Sequence, residues 1–211
     1  MKVMKSKNII LKITKWQSGI CLWLVMGFCS LFLLLLSHIF QSYFFMPPCE
    51  QCVYIRFAFV LLIFSSLIAI FLRQRLISYI ISFYAIYFGF RAAIKLEAIK
   101  QAINSNNIFG MIGCSSEPKF PIFLPLDKYF PQLFKPLGSC GYDAPIIPQN
   151  TNLNTFQEYF TNLYSNGWYL IPQAKFLNMA EACILAFGVI FLCISVMFIC
   201  TLSKKYLKMS D

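Results

Sequence analysis

Four of the nine cysteines in this chain stand in polar sequence, and the other five lie in apolar runs. Cys49 and Cys52 form the motif Pro47-Pro48-Cys49-Glu50-Gln51-Cys52, wedged between two hydrophobic stretches. Cys114 and Cys140 lie far downstream in one long polar segment. A C-x-x-C pair closes a small ring, so its disulfide forms and breaks readily. Thiol–disulfide exchange needs a thiolate, access and a good leaving group. Cys49 and Cys52 precede the second apolar run. If that run is a helix, the partial positive charge at its N-terminus favours a thiolate there. Pro47 and Pro48 favour extended backbone before the motif, which places the pair just outside the helix.

Cys114 and Cys140 are too far apart in sequence to form a C-x-x-C pair. One reading is a static disulfide that stabilises the loop by roughly 3 kcal/mol. The other is a second redox pair beside the first, which makes the four cysteines an electron relay. Zinc also uses C-x-x-C but needs two further ligands. The single histidine is His38, and Cys114 and Cys140 lack a second C-x-x-C. The competing function is therefore a non-catalytic membrane assembly or four-cysteine metal-binding protein with structural outer cysteines. Stoichiometric bound zinc would mark it. A relay would show a changed thiol state on adding a reduced partner.

Arg56 follows Cys52 by one helical turn, on the same face and deeper in the apolar run. An arginine inside a membrane-length run is costly and reads as functional by default. It can stabilise a thiolate or donate to a quinone oxygen. The bland alternative is snorkelling to the nearby interface. Arg91 and His38 sit near the corresponding ends of their own runs, so the three polar side chains are expected to meet at similar depth, close to the C-x-x-C. His38 reads equally well as an interfacial residue. Cys21, Cys29, Cys183, Cys193 and Cys200 lie in apolar runs, where cysteine behaves as a small hydrophobe, and no role is assigned to them.

The elements that must position these groups follow from composition. Hydrophobic residues make up 59% of the 211-residue chain and charged residues only 12%, far from the balance of a soluble domain. The apolar residues gather into runs near the length that crosses a bilayer, about 20 residues. The expected spans are about 19–40, 53–72, 76–94 and 182–203, the third being the shortest uncharged run. The first is too long for a cleaved signal segment and lacks a small-x-small site after it. The expectation is an all-α membrane protein: one integral domain over residues 1–211, a four-transmembrane-helix bundle with a long loop carrying short helices.

Charge sets the orientation. Lys2, Lys5, Lys7, Lys12 and Lys15, then Arg73 and Arg75, then Lys204, Lys205 and Lys208 face a single acid, Asp211. The positive-inside rule then places both termini in the cytoplasm. The formal net charge of +10 is thus a topology signal. Nucleic-acid binding is a poor reading, because the basic residues are split among short juxtamembrane segments. Loops 41–52 and 95–180 fall outside, where disulfides persist. Lys95 to Asn104 reads as an outward extension of the third helix. A short helix is expected from Leu124-Pro125-Leu126-Asp127, with Asp127 as N-cap and Pro131 in its first turn. Leu126, Tyr129, Phe130, Leu133 and Phe134 would share its apolar face, set against headgroups or the rest of the loop. Residues 141–155 read as loop, and Leu153 to Tyr164 as another short helix, interrupted at Gly167.

These residues resemble the DsbB-type quinone-linked disulfide oxidoreductases, and most closely their DsbI branch. The resemblance rests on Met46-Pro47-Pro48-Cys49-Glu50-Gln51-Cys52-Val53-Tyr54-Ile55-Arg56, Leu124-Pro125-Leu126-Asp127-Lys128 and Gly138-Ser139-Cys140-Gly141-Tyr142-Asp143-Ala144-Pro145. It implies an inner-membrane enzyme. Cys49–Cys52 would be reoxidised by membrane quinone, ubiquinone or menaquinone. Cys114–Cys140 would take electrons from a periplasmic thioredoxin-like oxidase, DsbA- or DsbL-like, with Cys114 forming the mixed disulfide. Arg56 matches the arginine at the quinone. Two features depart from the pattern. Some relatives carry a histidine after the third helix, where this chain has Lys95, Glu97, Lys100 and Gln101, so that residue's proton-handling role is not carried over. The segment from Gly141 to Asn178 is also longer than in the simpler DsbB proteins. A quinone reductase of the vitamin-K-epoxide type is a weaker match, because its active C-x-x-C is expected on a later helix.

Overall fold

The computed structural model describes residues 20–105, 114–115, 117–121, 124–149 and 151–209, without the side chains of 204–209. The five N-terminal lysines and Asp211 lie outside the described residues, as do the side chains of Lys204, Lys205 and Lys208. Four long helices dominate. They are α1 (Ile20–Ser42), α2 (Glu50–Leu72, its last turn π-helical from Ile68), α3 (Arg75–Asn104) and the C-terminal α7 (Met179–Met209). All four are long and apolar enough to cross a membrane. The third helix is the longer one expected, since Lys95 to Asn104 continues it without a break.

Helices α2 and α3 form the centre of the bundle. Half of the α2 apolar window is buried, against 11% for α1, which leaves the outer face of α1 to lipid. Close approach depends on small residues, as expected where lipid offers no hydrophobic drive between helices. A Cβ on Gly89 of α3 would meet Ala58 of α2 and the ring of Phe187 of α7. Phe187 itself stacks on Phe59, with ring centroids 5.0 Å apart. Toward the end of the bundle away from the C-x-x-C, Ser65 donates to the Ser78 carbonyl at 2.8 Å and pairs with Ser82 at 2.5 Å. These bonds tie α2 to α3 just before the Arg73–Gln74 turn, where Arg73 adopts a left-handed φ of 51°.

The polar segment folds over the other end. Its first helical stretch is two separate turns, α4 (Leu126–Tyr129) and α5 (Pro131–Phe134). This corrects the single helix expected there. Phe130 is non-helical, as the residue before a proline tends to be, and Pro131 starts a new turn. Asp127 is not the cap; it lies inside the first turn, after Pro125. The expected apolar face is split accordingly. Phe134 is buried with Val53, Phe57 and Phe120, and Leu126 and Leu133 pack against that cluster. Tyr129 and Phe130 remain exposed. Helix α6 (Thr155–Leu163) forms where expected, capped by Asn154, whose N–H is bonded by Gln157. A short antiparallel hairpin follows, β1 (Tyr169–Ile171) and β2 (Phe176–Asn178), which sequence patterning did not indicate. Asn178 then caps α7, exchanging bonds with Glu181.

Candidate thiol–disulfide site

Helix α2 begins inside the C-x-x-C motif. Cys49 is its N-cap, with extended backbone, and its sulfur accepts the Cys52 N–H at 3.3 Å. Cys52 therefore occupies the first helical turn. This corrects the expectation that both cysteines stand outside the helix: the prolines extend the chain only up to Cys49, and a thiol can satisfy one of the orphan N–H groups there. Both cysteines are buried, with their sulfurs 2.6 Å apart and within bond-forming reach. The hydrogen bond to Cys52, together with burial, holds the Cys49 thiol well above its ordinary value.

Cys114 and Cys140 are joined as a disulfide, with Cα atoms 5.9 Å apart. Cys140 is buried in the same hydrophobic cluster as Cys49 and Cys52, and Cys114 packs against that cluster. The two pairs are thus brought together across a long stretch of chain. Three local features hold Cys140 in place. The N–H groups of Leu137 and Gly138 both donate to the Pro48 carbonyl, at 2.9 and 3.1 Å, directly before Cys49. Gly141 turns the chain with a φ of 88°, a conformation that favours glycine, and lies against Ile99 and Ile103 of α3. Asp143 pairs with Lys100 of α3 at 2.9 Å, with both side chains largely shielded.

Arg56 is 4% exposed. Its guanidinium donates to Gln41 Oε1 at 2.5 Å, to the Ser37 carbonyl at 3.1 Å and to the Leu133 carbonyl at 3.3 Å. It does not snorkel to water. It ties the end of α1 and the α5 turn to α2. A guanidinium carries five N–H donors, and the contacts among the described residues use three of them.

Beside these groups lies a cleft of about 990 Å³ of unfilled space, counted out to its open mouth. Leu33, Leu36, Phe40, Ile55, Phe59 and Met179 give it apolar walls, and Cys49, Cys52 and Arg56 stand on one side. Its lining suits a mostly apolar ligand oriented by a few polar groups. Asp143, Tyr142 and Trp168 also line it. All three come from the long loop; Tyr142 and Asp143 belong to the motif around Cys140, while no local signal marks Trp168. Cys183, which lies in an apolar run, lines the cleft as well.

The expected meeting of Arg56, Arg91 and His38 does not occur. Arg91 is exposed and faces its own helix neighbour Tyr87, 5.7 Å from the ring centre. His38 does not line the cleft, and its Nδ1 has no partner among the described residues. Helical phase separates them: similar depth does not give a shared face. Among the described residues no group of three or more His, Cys, Asp or Glu is arranged to hold a metal ion.

Four membrane-length helices and two adjoining cysteine pairs define a class, that of multi-pass membrane proteins built for thiol–disulfide chemistry. The family model for the disulfide bond formation protein DsbB matches residues 20–198, and the chain belongs to that family. It is 42% identical over 198 residues to a DsbI relative of Campylobacter fetus subsp. fetus, with 92% of each chain covered. It is 43% identical over 195 residues to the protein-disulfide oxidoreductase DsbI of Salmonella typhimurium, covering 88% of this chain and 87% of the relative. The DsbI of Escherichia coli O1:K1 / APEC is 42% identical over 186 residues, with 83% of each covered.

Proposed function

We propose that the protein is an inner-membrane disulfide oxidoreductase that reoxidises a periplasmic thioredoxin-like dithiol partner, DsbA- or DsbL-like, and delivers the electrons to membrane quinone. The whole chain acts as one integral membrane domain with both termini in the cytoplasm. The observation that carries this reading is the shared burial of Cys140 with Cys49 and Cys52, against a cleft that also holds Arg56.

The reaction divides between the pairs. Cys114–Cys140 faces the partner: a partner thiolate attacks Cys114 to form the mixed disulfide and releases Cys140 as a thiol. The partner's second cysteine then displaces Cys114, leaving the partner oxidised and the outer pair reduced. The reduced outer pair then exchanges with Cys49–Cys52. Each step exchanges one dithiol for one disulfide, so electrons and protons balance. The residues present fit a quinone: apolar walls for the ring and tail, and an arginine that, among the described residues, has N–H donors left for a carbonyl oxygen. Bound there, ubiquinone or menaquinone supplies the oxidising power, accepting two electrons and two protons. Arg56 orients the ligand and favours negative charge beside Cys52. The buried walls keep water from the exchanging sulfurs.

The test separates the pairs. With Cys49 and Cys52 both changed to Ala, the outer pair should accept one pair of electrons from a purified reduced thioredoxin-like protein, and no quinol should appear. With Cys140→Ala, the lone Cys114 should trap the oxidised partner as a mixed disulfide on non-reducing gels. Near-normal turnover of Cys140→Ala with no adduct would reduce the mechanism to one pair. The orientation follows from the basic inner segments. It is checked by labelling Ser6→Cys and Asn152→Cys, in a background lacking the native thiols, with an impermeant reagent. Outside labelling at position 6 would reverse it.

A further inference from the structure

Glu50, the residue after Cys49, is a buried carboxylate, only 7% exposed. A carboxylate is costly to bury unless its oxygens are bonded, and both of these are. Oε1 accepts the Tyr54 hydroxyl at 2.9 Å, and Oε2 accepts the Ser115 N–H at 2.8 Å. Ser115 directly follows Cys114. The Tyr54 hydroxyl in turn accepts the Lys119 N–H at 2.8 Å, and the Tyr54 ring meets Phe120 edge-on at 5.7 Å. A side chain one residue from Cys49 therefore grips the backbone one residue from Cys114. Bonds to a charged acceptor are the stronger kind. On the Cys140 side, the disulfide is held separately by Pro48 and by the Lys100–Asp143 pair.

We propose that Glu50, braced by Tyr54, is a positioning residue that latches the Cys114 arm onto the Cys49–Cys52 helix and so sets the rate of exchange between the two pairs. This inference rests on the relay reading above. The latch releases when Cys114 is drawn to a partner sulfur and closes again for exchange. In that exchange the reduced Cys114/Cys140 pair gives two electrons and two protons to the Cys49–Cys52 disulfide, and one S–S bond forms as the other breaks. Glu50 touches no reacting sulfur in this scheme and acts only through the arm.

The test uses the full-length oxidised protein mixed rapidly with a limiting amount of a reduced thioredoxin-like protein. Acid quenching, alkylation and peptide mass spectrometry then follow which pair carries thiols with time. In the unaltered protein, thiols appear first on Cys114/Cys140 and then on Cys49/Cys52. In Glu50→Ala the first phase should stay within about twofold while the second slows roughly tenfold or more, as loss of a hydrogen bond to a charged group implies. Glu50→Gln keeps one carbonyl acceptor and should fall between the two, and so should Tyr54→Phe. Quinol formation after direct reduction of Cys49–Cys52 by a small membrane-permeant dithiol should not change in Glu50→Ala. A second phase as fast in Glu50→Ala as in the unaltered protein overturns the latch. So does an equal fall in all three measurements, which would make Glu50 a general support of the fold. If thiols never pass from Cys114/Cys140 to Cys49/Cys52 in the unaltered protein, the relay itself fails.

Discussion

Gly138 lies directly against Pro47. A Cβ added to Gly138 would stand 2.8 Å from the Pro47 carbonyl oxygen and 3.2 Å from the proline ring. The loop carrying Cys140 thus seats on the backbone just ahead of Cys49, and the seat admits no side chain.

Gly138→Ala should therefore lift this loop. The backbone oxygen cannot move aside as a flexible side chain would, so overpacking should cost about 1–3 kcal/mol locally. With the protein reduced, Cys49 should become more accessible to an impermeant maleimide, and transfer of electrons between the pairs should slow. Unchanged labelling of Cys49 would show that the loop seats without this contact.

Arg56→Met should weaken the use of quinone more than the oxidation of the partner. The lost hydrogen bonds join a charged donor to Gln41, Ser37 and Leu133, and losses of this kind are worth roughly 1.5–3 kcal/mol each. A lower thermal midpoint is expected, along with a loss of about ten- to a hundredfold in kcat/KM for quinone. Arg56→Lys keeps the charge but not the planar fork, and should recover only part of the activity. One round of Cys114–Cys140 reduction by the partner should survive in both variants. If kcat and KM for quinone are unaltered in Arg56→Met, the arginine only braces the helices.

The state of Cys49 should depend on Cys52. Their hydrogen bond is the first cause that raises the Cys49 thiol, with burial second. Removing the first cause in Cys52→Ala should lower the Cys49 value while burial continues to hold it up. In the reduced protein, alkylation of Cys49 by iodoacetamide, followed by peptide mass spectrometry, should rise at lower pH in Cys52→Ala than in the unaltered protein. A profile that stays in place would mean that burial alone governs Cys49.

Sequence alone determined what depends on local chemistry. Membrane-length apolar runs gave four helices, because a bilayer demands internally bonded backbone of a set length. The C-x-x-C and Arg56 were legible because their spacing lies within one helix, where neighbours are fixed by the helical repeat. The Thr155–Leu163 helix falls within the short helix expected from Leu153 to Tyr164. Tertiary structure decided everything that depends on which distant segments meet. Helical phase turned Arg91 outward and left His38 off the cleft. Packing against Val53 and Phe57 buried Phe134 and left Phe130 exposed. The bond between the Glu50 carboxylate and the Ser115 N–H joins segments that only the fold brings together. The seating of Cys140 on Pro48 and α3 likewise joins residues far apart in the chain, and such contacts are set by the burial of both partners rather than by any local repeat.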